Sequence, residues 1–303
     1  MSRFTTKRPR LPSSSKRQDK EKKGEQSASE VGPGYCNCVL QGNGFHDRAQ
    51  ILNMTNEELA AQLPKYRWYH TIALSPEVST PGLEGFAKQA APILRLMDTL
   101  DFAGKRVLDI GCRDGFFCFH AERRGAADLL GIDTCLSLGA VELIIPHFQS
   151  KVRMIEMSLY ELNVAEHGMF DIVLFCGVLY HLRYPFTALK TLADLVPDRG
   201  RMIIETEILA DDDQRALLFC PVGEESPCEP SSVSFYNRKG LTDTLKTFGF
   251  RVDTTEYQSD ADRQRTDAAI IRGSFLCTKD GALAGKHPHH YWSGGKHKNW
   301  QRV

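Results

Sequence analysis

The amino-acid sequence predicts an α/β fold in which a mostly parallel sheet is covered by helices on both faces. The first observation is an alternation of short apolar segments with longer amphipathic ones between residues 106 and 208. The predicted strands are 106–110, 128–132, 152–157, 170–176 and 201–208, and the predicted helices are 115–124, 136–147 and 185–195. Strands separated by helices imply right-handed crossovers and a parallel sheet. The second observation is a glycine-bearing loop directly after the first strand, at the edge where such sheets bind ligands.

The segment before the sheet predicts a helical cap, which we assign to residues 35–100. Thr55 and Glu58 form a capping box that opens a helix at 56–63. Residues 84–100 predict a second helix with one apolar face. That face consists of Phe86, Ala90, Ile93, Leu94, Met97 and Leu100.

The chain after the fifth strand predicts a lid and a closing pair of strands. Residues 210–236 begin with three aspartates and contain three prolines, and a loop of this length is more often a lid or substrate loop than filler. Residues 238–248 predict a helix, and 251–257 with 268–278 predict a β-hairpin. The main domain is therefore 101–278, and a basic, aromatic tail follows at 279–303.

Length and composition restrict the class of protein. The 303 residues are 42% hydrophobic and 25% charged, and no apolar run approaches the roughly 20 residues of a transmembrane helix. The N-terminus has charge but lacks the apolar centre of a secretory signal. The nine cysteines include Cys112, Cys118, Cys176 and Cys277 within the strands and the loop, which favours reduced thiols. We therefore expect a cytoplasmic protein without membrane contact.

The formal net charge of zero conceals an asymmetry between the N-terminal segment and the body. Residues 1–34 hold nine Lys and Arg against four Asp and Glu, so the body has an acidic excess of five. Because residues 1–34 nearly lack apolar side chains, they are predicted to be a disordered leader. The alternative is a basic arm for RNA or nuclear import. An acidic body counts against a large RNA interface, although it is compatible with a local basic groove.

The loop after the first strand carries the strongest functional pattern. Asp109 stands near the end of an apolar strand, and Gly111 and Gly115 flank the loop that follows. Asp133 ends the next strand. The glycines let the backbone approach a ligand, and the second acid is placed to accept two ribose hydroxyls. Arg113 interrupts the glycine spacing of a dinucleotide fingerprint.

With an acid just before the first glycine, this pattern resembles motif I of the class I S-adenosylmethionine (SAM) methyltransferases. The resemblance implies a Rossmann-like, seven-stranded sheet with SAM as the cofactor. It also implies that Asp109 orients the loop and the methionyl amine. The expected cofactor-binding residues are Asp109, Gly111, Cys112, Gly115, Asp133, Ser158, Leu159 and Cys176. Methyl transfer from SAM needs positioning, water exclusion and a proton acceptor rather than a metal, and no metal site is predicted.

Two candidate catalytic residues follow the fourth strand. Tyr180 and His181 lie in the segment GVLYHLRYP, at the carboxyl edge of the sheet. His181 is placed to act as a general base near neutral pH; the alternative, equally weighted, is that it bonds the backbone to shape the loop. Tyr180 is placed to orient the acceptor or to contact the sulfonium through its ring, with simple packing as the alternative.

Longer segments resemble one family more specifically. GVLYHLRYP, TALKTLADLV and IIETEIL are similar to the bacterial tRNA wobble-uridine carboxymethyltransferases and their methyltransferase relatives, over about residues 66–277. The substrate residues that this resemblance implies are Trp68, His70, Arg183, Glu205 and Arg265, with Arg183 also expected to help order the loop. Carboxymethyl-transferring members hold a carboxylated SAM with basic side chains, including a lysine before motif I. The corresponding stretch here, 77–82, has no lysine and begins with Glu77, so ordinary SAM and plain methyl transfer are expected.

Three functions stay open at this point. The favoured one is methyl transfer from SAM to an oxygen, or a nitrogen, of a small-molecule or glycan-like acceptor. The alternative is a tRNA wobble-uridine modifying methyltransferase, and the third is a non-catalytic protein with the same fold. Cys36 and Cys38 lack zinc-knuckle spacing, and the histidines of the tail are expected to be solvated, so a metal is not expected. The oligomeric state is not determined by the sequence.

Overall fold

The computed structural model describes residues 51, 53–210, 214–258 and 270–286, without the side chains of 284–286. Some expectations therefore lie outside the described residues. They concern the leader at 1–34, Cys36 and Cys38, the aspartates at 211–213, Arg265 with its neighbours, and most of the tail.

Nine strands of the described residues form one mixed sheet, and seven of them form the expected frame. The strands are β1 (Arg106–Ile110), β2 (Asp128–Asp133), β3 (Arg153–Glu156), β4 (Ile172–Cys176), β5 (Arg201–Leu209), β6 (Leu218–Phe219), β7 (Phe235–Asn237), β8 (Phe250–Tyr257) and β9 (Ile270–Lys279). The order across the frame is β3-β2-β1-β4-β5-β9-β8. Strands β1 to β5 pair in parallel, whereas β9 is antiparallel to both of its neighbours. The predicted parallel sheet and closing hairpin are thus confirmed.

The other two strands lie in the segment that the sequence predicts as a lid loop. Strand β9 pairs with β5 along its whole length, whereas β4 pairs only with residues 201–205 of β5. Strand β7 pairs in parallel with Ile208 and Leu209, past the end of β4, and β6 pairs with β7. Because β9 occupies the other edge of β5, β7 must lie on the β4 side. The described part of the lid is therefore partly built into the sheet at its carboxyl edge.

The helices follow the predicted order, with one correction. They are α1 (Asn56–Gln62), α2 (Phe86–Asp98), α3 (Phe116–Arg123), α4 (Ile145–Phe148), α5 (Val164–His167), α6 (Pro185–Leu195), α7 (Arg238–Thr247) and α8 (Gly281–Lys286). The helix expected at 136–147 is instead a π-helical turn at Ala140–Ile144 followed by α4. Pro146 lacks the N–H that a regular α-helix would use, and the wider turn precedes it. Ser137 directly precedes the helical turns: its N–H donates to the Arg113 carbonyl, and its own carbonyl accepts from the N–H groups of Ala140 and Val141.

The predicted capping box of the cap is confirmed. The N–H of Glu58 donates to the Thr55 hydroxyl at 3.2 Å, and the N–H of Thr55 donates to the Glu58 carboxylate at 2.9 Å. These bonds satisfy two donors at the start of α1 that would otherwise have no partner.

Apolar side chains cover both faces of the sheet. One buried cluster joins α1, α2 and α3 to one face and includes Leu59, Ile93 and Val107. The other joins α6 and α7 to the opposite face and includes Leu108 and Leu192. Val107 and Leu108 belong to different clusters because successive side chains of a strand point to opposite faces. The cap is thus packed onto the sheet, and α2 lies beside the carboxyl edge.

Among the described residues, the cysteines agree with the sequence expectation except at Cys135. Cys112, Cys118, Cys176 and Cys277 are free thiols. Cys135, which follows β2, is disulfide-bonded, so the expectation of reduced thiols does not extend to it.

The helices in the described part of the chain are all too short or too polar to cross a bilayer. Within the same residues, no three His, Cys, Asp or Glu side chains are grouped so that they could hold a metal ion.

Candidate active site

A cavity of about 560 Å³ lies at the carboxyl ends of β1, β2 and β4, beside the middle of β5. Proteins bind small ligands in cavities of roughly 300–1,000 Å³, and open α/β sheets bind them at this edge. We call the part next to β1 and β2 the cofactor half. We call the part between α2, the segment after β4, and β9 the acceptor half.

Gly111 brings the backbone of the first loop to the cavity wall. Its φ is +75°, and a Cβ atom there would lie 2.3 Å from the Val178 Cγ2 atom. The N–H groups of Gly111 and Cys112 both donate to the Ile132 carbonyl, at 2.8 and 3.1 Å. The loop is thus tied to β2 in a conformation that requires glycine at this position.

Asp133 lies at the cavity wall at the end of β2. One carboxylate oxygen accepts from the Arg113 N–H at 3.0 Å, and the other accepts from the Cys135 N–H at 2.8 Å. Burial raises the pKa of Asp133 above its ordinary value, and the two N–H bonds oppose that shift. A carboxylate has about four acceptor positions, so this one retains two for ligand hydroxyls.

Asp109 does not line the cavity, which corrects the expectation that it contacts the cofactor. It is 2% exposed and lies beneath the loop, where the Cys118 thiol donates to it at 3.3 Å. Burial raises the pKa of Asp109 to about 7. From this position, the Asp109 side chain supports the loop from below and does not reach the cavity to orient the methionyl amine directly.

Cys112 and Gly115 also lie behind the cavity wall. The Cys112 side chain packs against Gly131, where a Cβ atom would come within 2.9 Å of the sulfur. Gly115 precedes α3 with a φ of +80° and packs against Phe119. Both residues shape the loop without reaching the cavity.

Five of the eight expected cofactor residues do meet at the cavity. They are Gly111, Asp133, Ser158, Leu159 and Cys176. The close backbone approach, a carboxylate with free acceptor positions and the apolar side chains of Ile110 and Ile132 suit a nucleoside ligand. The residues present therefore fit SAM.

Tyr180 is buried at the centre of the acceptor half, where Arg272 contacts it. The Arg272 guanidinium donates to the Tyr180 hydroxyl at 2.5 Å, and its Cζ atom lies 5.2 Å from the ring centroid. Burial raises the pKa of Tyr180 well above its ordinary value, and Arg272 opposes this only in part. The phenol is therefore protonated at neutral pH.

Two carboxylates share the charge of Arg272. Glu205 Oε1 lies 3.4 Å from the guanidinium Nε, and Glu207 Oε1 lies 3.8 Å from Nη2. Burial raises the pKa of Glu205, against the opposing effect of Arg272. For Arg272 itself, burial favours the neutral form, but the two glutamates and Tyr180 outweigh it and raise the pKa. Arg272 is thus a charged group whose partners are already in place.

His181 lines the cavity, but its ring nitrogens face the lid. Nδ1 lies 3.2 Å from the Ser231 carbonyl oxygen, and Nε2 lies 3.7 Å from Glu229 Oε1. These contacts favour the interpretation that His181 shapes the loop over the interpretation that it acts as a general base.

The expected substrate residues divide into two groups. His70 and Glu205 line the cavity, whereas Trp68 and Arg183 do not. The Trp68 indole donates to the Leu63 carbonyl at 2.8 Å within the cap, because the aromatic segment turns this ring inward. Arg183 donates to the Pro221 carbonyl at 2.9 Å and so holds the lid. Arg265 is outside the described residues.

Sequence reasoning missed several cavity residues, and Arg272 is the most informative. It stands directly opposite Glu207 in the antiparallel register of β5 and β9. A single arginine in the otherwise apolar run IIRGSFLC was a usable signal, since a buried charge requires a partner. Tyr69, Phe86, Gln89, Arg113 and Phe117 also line the cavity.

Comparisons with known proteins agree with this geometry. A family model described as a methyltransferase domain matches residues 84–255, which is more than half of the chain. The tRNA U34 carboxymethyltransferase of Ectopseudomonas mendocina (strain ymp) is 33% identical over 129 residues, 41% of this chain and 39% of that protein. The enzyme of the same name from Methylococcus capsulatus (strain ATCC 33009 / NCIMB 11132 / Bath) is 31% identical over 149 residues, 46% of this chain and 45% of that protein. These matches span less than half the length of the curated relatives.

A solved structure agrees at the level of the fold. The N-terminal domain of EvdMO1, with SAH bound, has a TM-score of 0.57 and 19% identity, and the match covers 75% of this chain and 98% of that one. Together with the cavity at the carboxyl edge, these findings assign the cofactor and the reaction type. The chain belongs to the methyltransferase domain family and carries a class I, SAM-dependent methyltransferase domain.

Proposed function

We propose that this enzyme transfers a methyl group from SAM to a hydroxyl oxygen of a small-molecule or glycan-like acceptor. The observation that carries the proposal is the cavity itself, in which the cofactor half continues into an acceptor half beside Tyr180. A cytoplasmic location belongs to the same proposal; the free thiols at Cys112, Cys118 and Cys176 support it, whereas the disulfide at Cys135 counts against it.

The residues of the chain supply position and a dry environment. Gly111 and Asp133 would hold the nucleoside, while SAM supplies an activated methyl group when bound. Phe86, Ala90 and Ile93 of α2 give the acceptor half an apolar wall that excludes water. Holding the reacting atoms in line in such a site accounts for a large part of the rate that an enzyme must supply.

The choice of ordinary SAM rests on different residues from those that the sequence indicated. Glu77 is exposed and accepts from the Asn56 amide at 2.9 Å, away from the cavity, so it does not repel an anion there. The supporting contact is instead between Arg272 and the two glutamates. A carboxylate on the transferred group would meet a cation that is already neutralised by Glu205 and Glu207.

The test is transfer of radioactive methyl from SAM into a small-molecule extract by the purified full chain. We expect label in the low-mass fraction, and none with the Asp133→Ala variant as matched control. Label confined to tRNA, or no label in any fraction from a protein that binds SAM, would overturn the proposal.

A second candidate is modification of the tRNA wobble uridine. The names of the curated relatives favour it, and Arg272 is a buried guanidinium that a carboxylate could approach if one glutamate gave way. Calorimetric titration separates the candidates: the first expects SAM to bind more tightly than carboxylated SAM, and the second expects the reverse. Nucleoside mass spectrometry of tRNA from a deletion strain gives an independent answer, since an unchanged profile removes the second candidate.

A further inference from the structure

His70 is a histidine whose ring is held rigidly at the cavity. It is 5% exposed, and it lines the acceptor half. The Phe86 ring centroid lies 4.3 Å from that of His70, and the Phe116 and Phe117 centroids lie 5.6 and 6.1 Å away. Packing by three aromatic rings restricts the imidazole to one orientation.

Asp114 contacts one nitrogen of this ring. Asp114 is fully buried, and its Oδ2 accepts from the N–H groups of Tyr69 and His70 at 2.7 and 2.9 Å. Its Oδ1 lies 2.7 Å from His70 Nδ1, although the N–H direction departs from that of an ideal hydrogen bond. Two atoms with facing lone pairs would repel at this distance, so a proton lies between them. A neutral ring with this proton on Nδ1 would carry its lone pair on Nε2.

The second nitrogen of His70, Nε2, is the one left for a ligand in the cavity that the residue lines. Among the described residues, Nδ1 is one of the enclosed polar atoms without a hydrogen bond of ordinary geometry, and Asp114 lies against it. A ring this deeply buried has access only to the space that it lines. An imidazole with one nitrogen fixed by a carboxylate and the other directed at a ligand is the arrangement of a general base.

The other titratable groups of the cavity are less suited to accept a proton. His181 directs its nitrogens at the lid, and Glu205 is paired with Arg272. Tyr180 is already protonated. Asp133 is occupied by the loop N–H groups on the cofactor side. The groups that face His70 or share its cavity are Tyr69, Asp114, Arg113, Asp133, Tyr160, Tyr180, His181, Glu205 and Arg272.

We propose that His70, oriented by Asp114, is the proton acceptor of the methyl transfer. The proposal rests on the proposed function, because it needs an acceptor with a hydroxyl group. As the acceptor oxygen forms its bond to the methyl carbon, the carbon–sulfur bond breaks and its electron pair remains on sulfur. The hydroxyl proton passes to His70 Nε2, the imidazolium is stabilised by Asp114, and the proton then leaves to water.

The first test reads the tautomer and needs no acceptor. The full chain with ¹⁵N-labelled histidine and bound SAH is studied by long-range ¹H–¹⁵N correlation, with the His70→Asn variant identifying the signal. We expect a neutral ring protonated at Nδ1 near pH 8, and a shift towards protonation at Nε2 in Asp114→Asn. Protonation at Nε2 in the unaltered protein would overturn the proposal.

The second test measures transfer into the fraction that accepts label. We expect His70→Asn to lower the rate about 10²- to 10⁴-fold, while SAH affinity changes less than twofold. His181→Asn is the matched control and should lower the rate less than tenfold. If His70→Asn fails to fold, His70→Gln takes its place. Equal rates for His70→Asn and the unaltered protein would overturn the proposal. If the first test finds the ring protonated at Nδ1 but the second finds no labelled fraction, that pair of results would contradict the proposed function alone.

Discussion

In the cofactor half of the cavity, the key positions Gly111 and Asp133 come from the single unit β1–α3–β2, and Ser158, Leu159 and Cys176 are added from the ends of β3 and β4. In the acceptor half, the wall is made of side chains from distant parts of the chain, such as His70, Tyr180 and Arg272. The first is shaped by backbone hydrogen bonds and a left-handed glycine. The acceptor half is held by buried charged side chains that come from distant parts of the chain and pair with one another. The cofactor half therefore depends on local geometry, and the acceptor half depends on electrostatic pairing.

Arg272→Met should give the largest effect, because it leaves Glu205 and Glu207 buried without a counter-charge. Removing one partner of a buried pair costs about 3–5 kcal/mol, to be measured as the free energy of unfolding in urea. The double variant Arg272→Met/Glu207→Gln should recover part of this loss. Arg95→Met is the matched control, since its pair with Glu256 is exposed and should cost at most about 1 kcal/mol. Equal losses of unfolding free energy for Arg272→Met and Arg95→Met would show that the buried network contributes no more to stability than an exposed ion pair.

Gly111→Ala should damage the cofactor half next most strongly. A methyl group there meets Val178 at 2.3 Å in a backbone conformation that alanine rarely adopts. We expect SAH affinity to fall about 100-fold, or about 2.7 kcal/mol, by calorimetric titration. Gly104→Ala is the control, because Gly104 also has a positive φ but no neighbour within 4 Å. Unchanged SAH affinity in Gly111→Ala would mean that the loop can move away at little cost.

Asp109→Asn tests the carboxyl group beneath the cofactor loop. Burial raises the pKa of Asp109 from 3.8 to about 7, so the folded protein binds this proton more tightly than the unfolded chain. The resulting stability is present at acid pH and falls as pH rises from about 4 to about 7. As pH rises from 5 to 6.5, the unaltered protein should therefore lose about 2 kcal/mol of unfolding free energy that the Asp109→Asn variant does not lose. Parallel pH profiles would show that the carboxyl group is not perturbed in this way.

Arg183→Met should have the smallest effect, because the exposed Arg183 contacts only the lid. Loss of its bond to the Pro221 carbonyl should lower the free energy of unfolding by less than about 1 kcal/mol. The region at 214–236 should be cleaved faster by protease, while SAH affinity stays within twofold. A large loss of SAH affinity would show that Arg183 contributes to the binding site, as the resemblance to the carboxymethyltransferases implies.

Elements with strong local patterns were predicted well, and the misses have physical causes. Strand 106–110 and helix 185–195 have the predicted bounds, because apolar periodicity and an initial proline define them locally. The helix expected at 136–147 was altered by a π-helical turn just before Pro146, whose missing N–H a regular helix would use. The short strands in 210–236 form only because β5 extends past β4 and offers free backbone groups to pair with.

By itself, the sequence determined the parallel sheet, the glycine loop and the acid that ends β2, because each depends on residues within one or two neighbouring elements. Only the tertiary structure decided that Asp109 lies beneath the loop, that Arg272 reaches Tyr180, and that the His70 ring packs beside Asp114 at the cavity while the His181 nitrogens face the lid. These depend on contacts between residues far apart in the chain. Their geometry is set by how the cap and the last strands pack on the sheet, which local patterns do not specify.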